Sequence, residues 1–256
     1  MLKKMLMCFC LFAYMLGVSA GTDGVVEENK KGDVAVKNLT RAMTLLDNTI
    51  DKCFKGSDLH MCDLYHLGNG RQEGTADVWP YTAAMEAVNG VMEALQALKG
   101  TCPELYAKNM ERYKCLMASL FDNLDYYKGT YTLTSYTQTK EWSVYGVHRS
   151  NTKGTAQVEG IENVYDDQMW LVRELVRAYR NTGEKRYLVE AEYLADYVID
   201  GWDCTLDADG HENGGITWGP GYNSKHSCSN APIISPLVWL SQIYKDSKDK
   251  AVWRYV

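Results

Sequence analysis

The sequence has no basic stripe and no Lys/Arg cluster. Its 27 Lys and Arg are outnumbered by 33 Asp and Glu, for a net charge of −6. A nucleic-acid partner is therefore not expected. There is no CxxC pair, which argues against a zinc knuckle. The 5 histidines are scattered and form no metal motif, so neither a metal nor a cofactor is expected. Phe is scarce, at 4 residues, while Tyr and Trp number 18 and 7. Tyr and Trp combine a flat apolar face with a polar tip. That chemistry suits stacking on sugar rings and suits amphipathic helix packing equally well. An apolar run of about 20 residues, enough to cross a bilayer, is also missing, so no stable membrane span is expected.

The longest apolar run, from Met5 to Leu16, is short. Lys3 and Lys4 precede it, and Gly17, Val18, Ser19 and Ala20 follow. A basic start, a short apolar stretch and a small-residue exit describe a secretory signal peptide. Residues 1–20 are read as that peptide, with cleavage after Ala20 and a secreted, periplasmic or cell-surface product. Six cysteines remain beyond the cut: Cys53, Cys62, Cys102, Cys115, Cys204 and Cys228. An oxidising compartment permits disulfides, but buried free thiols are an equal reading, and spacing does not give the pairing.

Residues 21–33 are polar and contain glycine, and read as a flexible lead-in to one domain at 34–256. From Val34 the apolar residues Leu39, Met43, Leu46, Ile50 and Cys53 recur in steps of three and four, the mark of one helix face. Further helices are expected at about Val78–Leu98, Pro103–Leu124, Gln168–Asn181, Lys185–Asp200 and Pro232–Tyr244, with another starting near Lys250. The stretch Tyr126–Glu159 is rich in Thr, Tyr, Ser and Gly and reads as a long irregular excursion with short β pieces such as Thr130–Thr134. Its aromatics Tyr131, Tyr136, Trp142 and Tyr145 argue that it is ordered. Trp170-Leu171, Tyr179 and Tyr187-Leu188 are echoed by Trp239-Leu240, Tyr244 and Trp253. Repeated helix hairpins of this kind point to an all-α, double-layered toroid.

Two loop-to-helix junctions could carry chemistry. The first runs Glu162-Asn163-Val164-Tyr165-Asp166-Asp167-Gln168-Met169-Trp170-Leu171. Taken alone, its carboxylates could simply cap a helix and complement its dipole. The second comprises Gly201-Trp202-Asp203, Gly214-Gly215-Ile216-Thr217-Trp218, Lys225 and Ser229-Asn230-Ala231-Pro232. Taken alone it is a glycine-rich surface loop with Asn230 as a cap.

Together the two junctions resemble glycoside hydrolase family 76, the endo-α-1,6-mannanase family. The carriers of the resemblance are Tyr165-Asp166-Asp167 with Trp170-Leu171, then Thr182-Gly183, Tyr187-Leu188, Gly201-Trp202-Asp203, Gly214-Gly215-Ile216, Trp218, Lys225 and Ser229-Asn230-Ala231-Pro232, in that order. Trp79 with Tyr81 matches an early aromatic position. The resemblance covers roughly residues 35–256. It implies an (α/α)6 barrel of helix hairpins, of which this chain holds about half the helices, as the N-terminal part. It also implies a retaining hydrolase acting on α-mannan, with Asp166 as nucleophile and Asp167 as general acid/base. Two alternatives stand beside that: an inactive, glycan-binding fragment, and a transglycosidase acting on cell-wall glycans. Retaining hydrolysis needs one ionised and one protonated carboxyl, about 5–5.5 Å apart. Two neighbouring carboxyls push one pKa upward, so the pair suits both roles. Tyr165, Trp142 and Trp218 are candidate sugar platforms. Gly214 and Gly215 would allow close approach to the substrate, and Lys225 and Asn230 could bond sugar hydroxyls. Glu159 and Glu162 read as a solvated loop.

Overall fold

A computed structural model describes residues 23–245. The signal peptide expected at 1–20, Trp253 and the helix start near Lys250 lie outside the described residues. The chain divides into two units, Met1–Asn38 and Leu39–Val256. In the first unit every described residue is helical, within α1, Asp23–Cys53. The flexible lead-in expected at 21–33 is therefore helical from Asp23.

The second unit is built on two helix hairpins. α2 (Val78–Ala97) is followed by α3 (Pro103–Leu124), and α4 (Tyr165–Thr182) by α5 (Lys185–Asp200). Each pair packs along its length, and α2 packs against α4. Pro103 opens α3 in the first turn, where proline is tolerated. Gly183 closes α4 at φ 78°, and its N–H donates to the Tyr179 carbonyl at 2.7 Å. A left-handed residue at that position is the usual helix stop. The helices stop and start close to where periodicity placed them. α4 begins a few residues earlier than expected, so that Tyr165, Asp166 and Asp167 form its first turn.

The α2–α4 seam contains a buried polar clamp. Glu174 is fully buried and accepts from Asn89 Nδ2 at 3.0 Å and from Arg177 Nη1 at 2.8 Å. Arg177 also reaches Glu93, and Arg173 reaches Glu86. A buried carboxylate persists only when paired and hydrogen-bonded in this way. Below it the seam is apolar, with Met85, Val88, Met92, Met169, Val172 and Val176 all closed to solvent.

The excursion after α3 is more regular than expected. It contains an antiparallel hairpin, β5 (Lys128–Thr134) and β6 (Thr139–Tyr145), in continuous register from Lys128↔Tyr145 to Thr134↔Thr139. Its inward residues Tyr131, Trp142 and Val144 are buried. Tyr131 Oη and Tyr197 Oη share a hydrogen bond of 2.7 Å, and Tyr145 Oη donates to Glu190 at 2.8 Å. The hairpin is thereby fixed to α5. Ahead of α2, two small hairpins also form: β1 (Phe54–Lys55) with β2 (His60–Met61), and β3 (Leu64–His66) with β4 (Arg71–Glu73). α6 (Ile234–Tyr244) packs on α4 through its own apolar face.

Candidate active site

Two backbone anchors fix the start of α4. The Tyr165 N–H donates to the Trp218 carbonyl at 2.7 Å, from the loop between α5 and α6. Gln168, also buried, bonds both backbone groups of Tyr145: Nε2 donates to the carbonyl at 2.6 Å and Oε1 accepts the N–H at 3.3 Å. Asp166 and Asp167 sit between these anchors, in the first turn of α4, where the helix dipole favours negative charge. Asp166 Oδ1 accepts the Asp167 N–H at 3.1 Å, and the Cys228 thiol lies within hydrogen-bonding reach of Asp166. Asp167 is only 9% exposed. Burial, then Asp166, then Asp77 push its carboxyl up from 3.8 to about 7. At neutral pH a large fraction of Asp167 therefore carries a proton.

Asp77 reaches the site from the start of α2. It occupies the N-cap position, yet its side chain makes no capping bond. Its Oδ1 lies 2.8 Å from His148 Nδ1, and His148 Nε2 lies 3.5 Å from Glu162 Oε2. Backbone bonds hold these residues together: Val78 N–H to the Val147 carbonyl and Val147 N–H to the Glu162 carbonyl, each 2.9 Å. A cleft of about 240 Å³ meets the first turn of α4 through Tyr165 and is further lined by Tyr136, Thr217, Tyr222 and Asn223; Asp166 and Asp167 are not among its lining residues. On the α2–α4 side, a narrower one of about 80 Å³ lies between Trp79 and Trp170, with Glu86 and Glu174. In the larger cleft, aromatic rings stand beside hydroxyl and amide groups, a combination that suits a sugar.

A model of glycosyl hydrolase family 76 matches residues 80–252, more than half of the chain. The chain belongs to glycosyl hydrolase family 76. Among solved structures, it is similar to a family 76 mannosidase of Bacteroides thetaiotaomicron, with 23% identity and a TM-score of 0.52 over 85% of this chain and 50% of that one. It is also similar to a family 76 α-mannanase of the same species, with 15% identity and a TM-score of 0.55 over 88% and 53%. A third similar structure is an α-1,6-mannanase of Salegentibacter, inactivated at two consecutive aspartates and bound to an α-1,6-linked mannotetraose. It gives 20% identity and a TM-score of 0.50 over 88% and 50%. These likenesses give the fold, an (α/α) helical barrel, and the chain spans about half the length of the solved structures it matches. No match is found among curated proteins.

Within this family 76 fold, the residues singled out from sequence fall into three groups. Asp166 and Asp167 come together in one turn with Asp77 alongside. Trp142 does not reach the cleft. It is 1% exposed, edge-on to Tyr193 and Tyr197 at 5.4 and 5.2 Å, so its expected role as a sugar platform gives way to core packing. Tyr165 is 2% exposed, and only part of it lines the cleft. Its ring packs on Tyr197 at 5.1 Å and fills the space over Gly201, where an added Cβ would stand 2.5 Å from it.

The loop residues form the third group. Trp218 is half-buried, stacked on His226 at 5.1 Å and tilted against Tyr222 at 4.6 Å. Gly214 and Gly215 have φ of 61° and 75°, and a Cβ on Gly215 would crowd Asn230 Oδ1 at 3.3 Å. Their glycine requirement is thus met by loop geometry. Lys225 Nζ donates to Asp203 Oδ2 at 2.7 Å. Asn230 spends its amide on the loop backbone, accepting from Ile216 N–H at 2.8 Å and donating to the Ile216 and His226 carbonyls at 2.9 and 2.8 Å. A sugar-binding role for Asn230 is replaced by that buttress. It does not cap α6 either, which starts at Ile234.

The sequence reading missed Asp77, His148 and Cys228, and treated Glu162 as solvated loop. No sequence signal sets Asp77 apart: an Asp directly before an apolar helix start reads as its cap, and only the structure shows the side chain turned to His148 instead. At the exposed tip of the 201–230 loop, Asp207, Asp209 and His211 bring ligand atoms within 4.8 Å of one another. Asp207 Oδ1 accepts the Asp209 and His211 N–H groups, both at 2.9 Å, which makes it a turn.

Proposed function

We propose that this chain carries the catalytic aspartates of an exported glycoside hydrolase that cleaves α-1,6-mannosidic bonds with retention. The observation that carries the reading is Asp167, a buried carboxyl raised to about 7 beside a second carboxyl on the same helical turn. Support for the substrate comes from the similar Salegentibacter α-1,6-mannanase, whose inactive variant, altered at two consecutive aspartates, is in complex with an α-1,6-mannotetraose.

In the first step Asp167 gives its proton to the glycosidic oxygen while an Asp166 carboxylate oxygen attacks the anomeric carbon. The carbon–oxygen bond breaks and a glycosyl ester forms on Asp166. In the second step Asp167, now ionised, takes a proton from water as that water attacks the same carbon and frees Asp166. Two displacements restore the configuration. A raised pKa suits this acid, because a proton donor works best when its pKa lies near the working pH.

The test is digestion of unbranched α-1,6-mannan by the purified chain. The expected result is release of shorter α-1,6-oligomannosides with the α anomer formed first by NMR. Initial release of the β anomer would overturn the retaining mechanism, and binding without cleavage would favour a glycan-binding fragment. Export is tested separately. Secreted material should begin at Gly21 by N-terminal sequencing, and a retained Met1 in the cytoplasm would contradict it.

A further inference from the structure

Two cysteines meet where α1 ends. Cys53 is the last residue of α1, and Cys62 directly follows β2. The β1–β2 register, Lys55↔His60 and Phe54↔Met61, continues by one step to set Cys53 opposite Cys62. The Cys62 N–H donates to the Cys53 carbonyl at 2.8 Å. In a hydrogen-bonded antiparallel pair the Cα atoms are about 5.5 Å apart, inside the range of roughly 4.4–6.8 Å that a disulfide needs. The two thiols already lie within hydrogen-bonding reach of each other. Cys62 is 3% exposed and Cys53 half-buried, so the pair is shielded once formed.

We propose that Cys53 and Cys62 are a cross-linking site, joined by a disulfide in the exported protein. The proposal rests on the export reading for its compartment and on the hairpin alone for its geometry. Each thiol loses its proton and the pair gives up two electrons. The acceptor is a small-molecule or protein disulfide of an oxidising compartment, which is reduced to two thiols. The other cysteines stand elsewhere: Cys102 at the start of α3, Cys115 exposed on α3, and Cys204 and Cys228 in the loop between α5 and α6.

The cross-link has a structural consequence for the active site. The Met61 carbonyl, next to Cys62, accepts the Ala76 N–H at 3.0 Å, and the Ala76 carbonyl accepts Tyr127 Oη at 2.8 Å. Asp77 follows directly. A disulfide between the end of α1 and the end of β2 therefore braces the segment that delivers Asp77 to Asp167.

The experiment equilibrates the purified chain with glutathione and glutathione disulfide, blocks free thiols by alkylation and maps the unreduced peptides. The expected product is a Cys53–Cys62 linked peptide, with Cys115 alkylated. Reduction should lower Tm by about 5–10 °C. Cys115→Ser should retain that drop, and Cys62→Ser should lack it. If Cys53 and Cys62 stay open to alkylation at every ratio, or Cys53 is found linked to a different cysteine, the proposal is overturned. Because the oxidant is supplied in the tube, such a failure leaves the export reading untouched, which N-terminal sequencing decides.

Discussion

Asp167, in the first turn of α4, has its carboxyl pushed up to about 7, while Asp203, at the head of the loop between α5 and α6, is held down at about 2. As residues they are 9% and 8% exposed, but the Asp203 side chain keeps more solvent, at 12%, and burial weighs little on it. What differs is how far each carboxyl is desolvated and the company it keeps. Asp203 receives Lys225 Nζ at 2.7 Å, the Thr205 hydroxyl and the Thr205 N–H at 3.1 Å, with Lys225 the largest influence. Asp167 has desolvation and two further carboxylates acting against its charge. One aspartate is satisfied and fastens a loop. The other is left in an environment that opposes its ionised form, as expected of a group kept for proton transfer.

Exchange of carboxylate for amide separates the two most strongly in activity. Asp167→Asn should lower turnover on α-1,6-mannan by about 10²–10⁴ fold, the range for loss of a general acid. Asp166→Asn should abolish the glycosyl ester, which mass spectrometry sees in the wild type with a ring-fluorinated glycosyl fluoride, whose good leaving group loads the ester and whose ring fluorine slows its hydrolysis. Asp203→Asn should leave turnover per folded molecule near wild type. If Asp203→Asn cost as much as Asp167→Asn, the assignment of roles to the two aspartates would be wrong.

Both residues depend on the frame that holds the start of α4. Trp142 is that frame's largest fully buried side chain. Trp142→Ala should cost about 3–5 kcal/mol in unfolding free energy, read from denaturant melts. A loss near zero, with weaker mannan binding instead, would restore Trp142 to the cleft.

Stability should respond in opposite directions at the two aspartates. Asp167 binds its proton more tightly in the folded chain than in the unfolded one. The folded state is therefore favoured below about pH 4, and stability declines as pH rises from there towards about 7. Asp167→Asn removes that decline, so at pH 8 it should be more stable than wild type by on the order of 1–4 kcal/mol. For Asp203 the sign reverses: its contribution is present above the unfolded value near 4 and is lost as pH falls through about 2. Lys225→Met should lower Tm slightly at pH 7 and expose the 201–230 loop to protease. Thermal melts of the variants from pH 2 to pH 8 read both signs, Asp203 below about pH 4 and Asp167 above it.

The helices were legible because burial on one face imposes a period, and α2, α3 and α5 match their expected spans within a residue or two. The β5–β6 hairpin was read as irregular because its outward Thr and inward Tyr and Trp share a composition with ordered loops. Its alternation becomes decisive only once α5 supplies the inner wall. At the site, Asp166 and Asp167 were legible as a motif. Asp77, His148 and Glu162 were not, since they meet through backbone bonds among segments far apart in sequence. Asn230 and Lys225 stood in the right order for the family, but order does not show which polar atoms the loop itself consumes.

The smallest expected effect is the most specific to this arrangement. Asp77 is the third and weakest of the influences that raise Asp167, after burial and Asp166. The alkaline limb of the kcat/KM profile reports the proton on the free enzyme's acid, so it should fall near pH 7 in the wild type. Asp77→Asn removes one negative charge while keeping the side-chain size. Asp167 then ionises more easily, and the alkaline limb should move to lower pH by less than about one unit, the scale of one partly screened neighbouring charge. Loss of shape alone would lower kcat/KM evenly at all pH values and leave the limb in place. His148→Gln provides the complementary arm. It takes away the only ring within hydrogen-bonding distance of the Asp77 carboxylate among the described residues, so Asp77 bears more of its charge towards Asp167 and the limb should move to higher pH. Opposite displacements in the two variants would place Asp77 in the electrostatics of the acid; movement in the same direction, or none in either, would confine it to the start of α2.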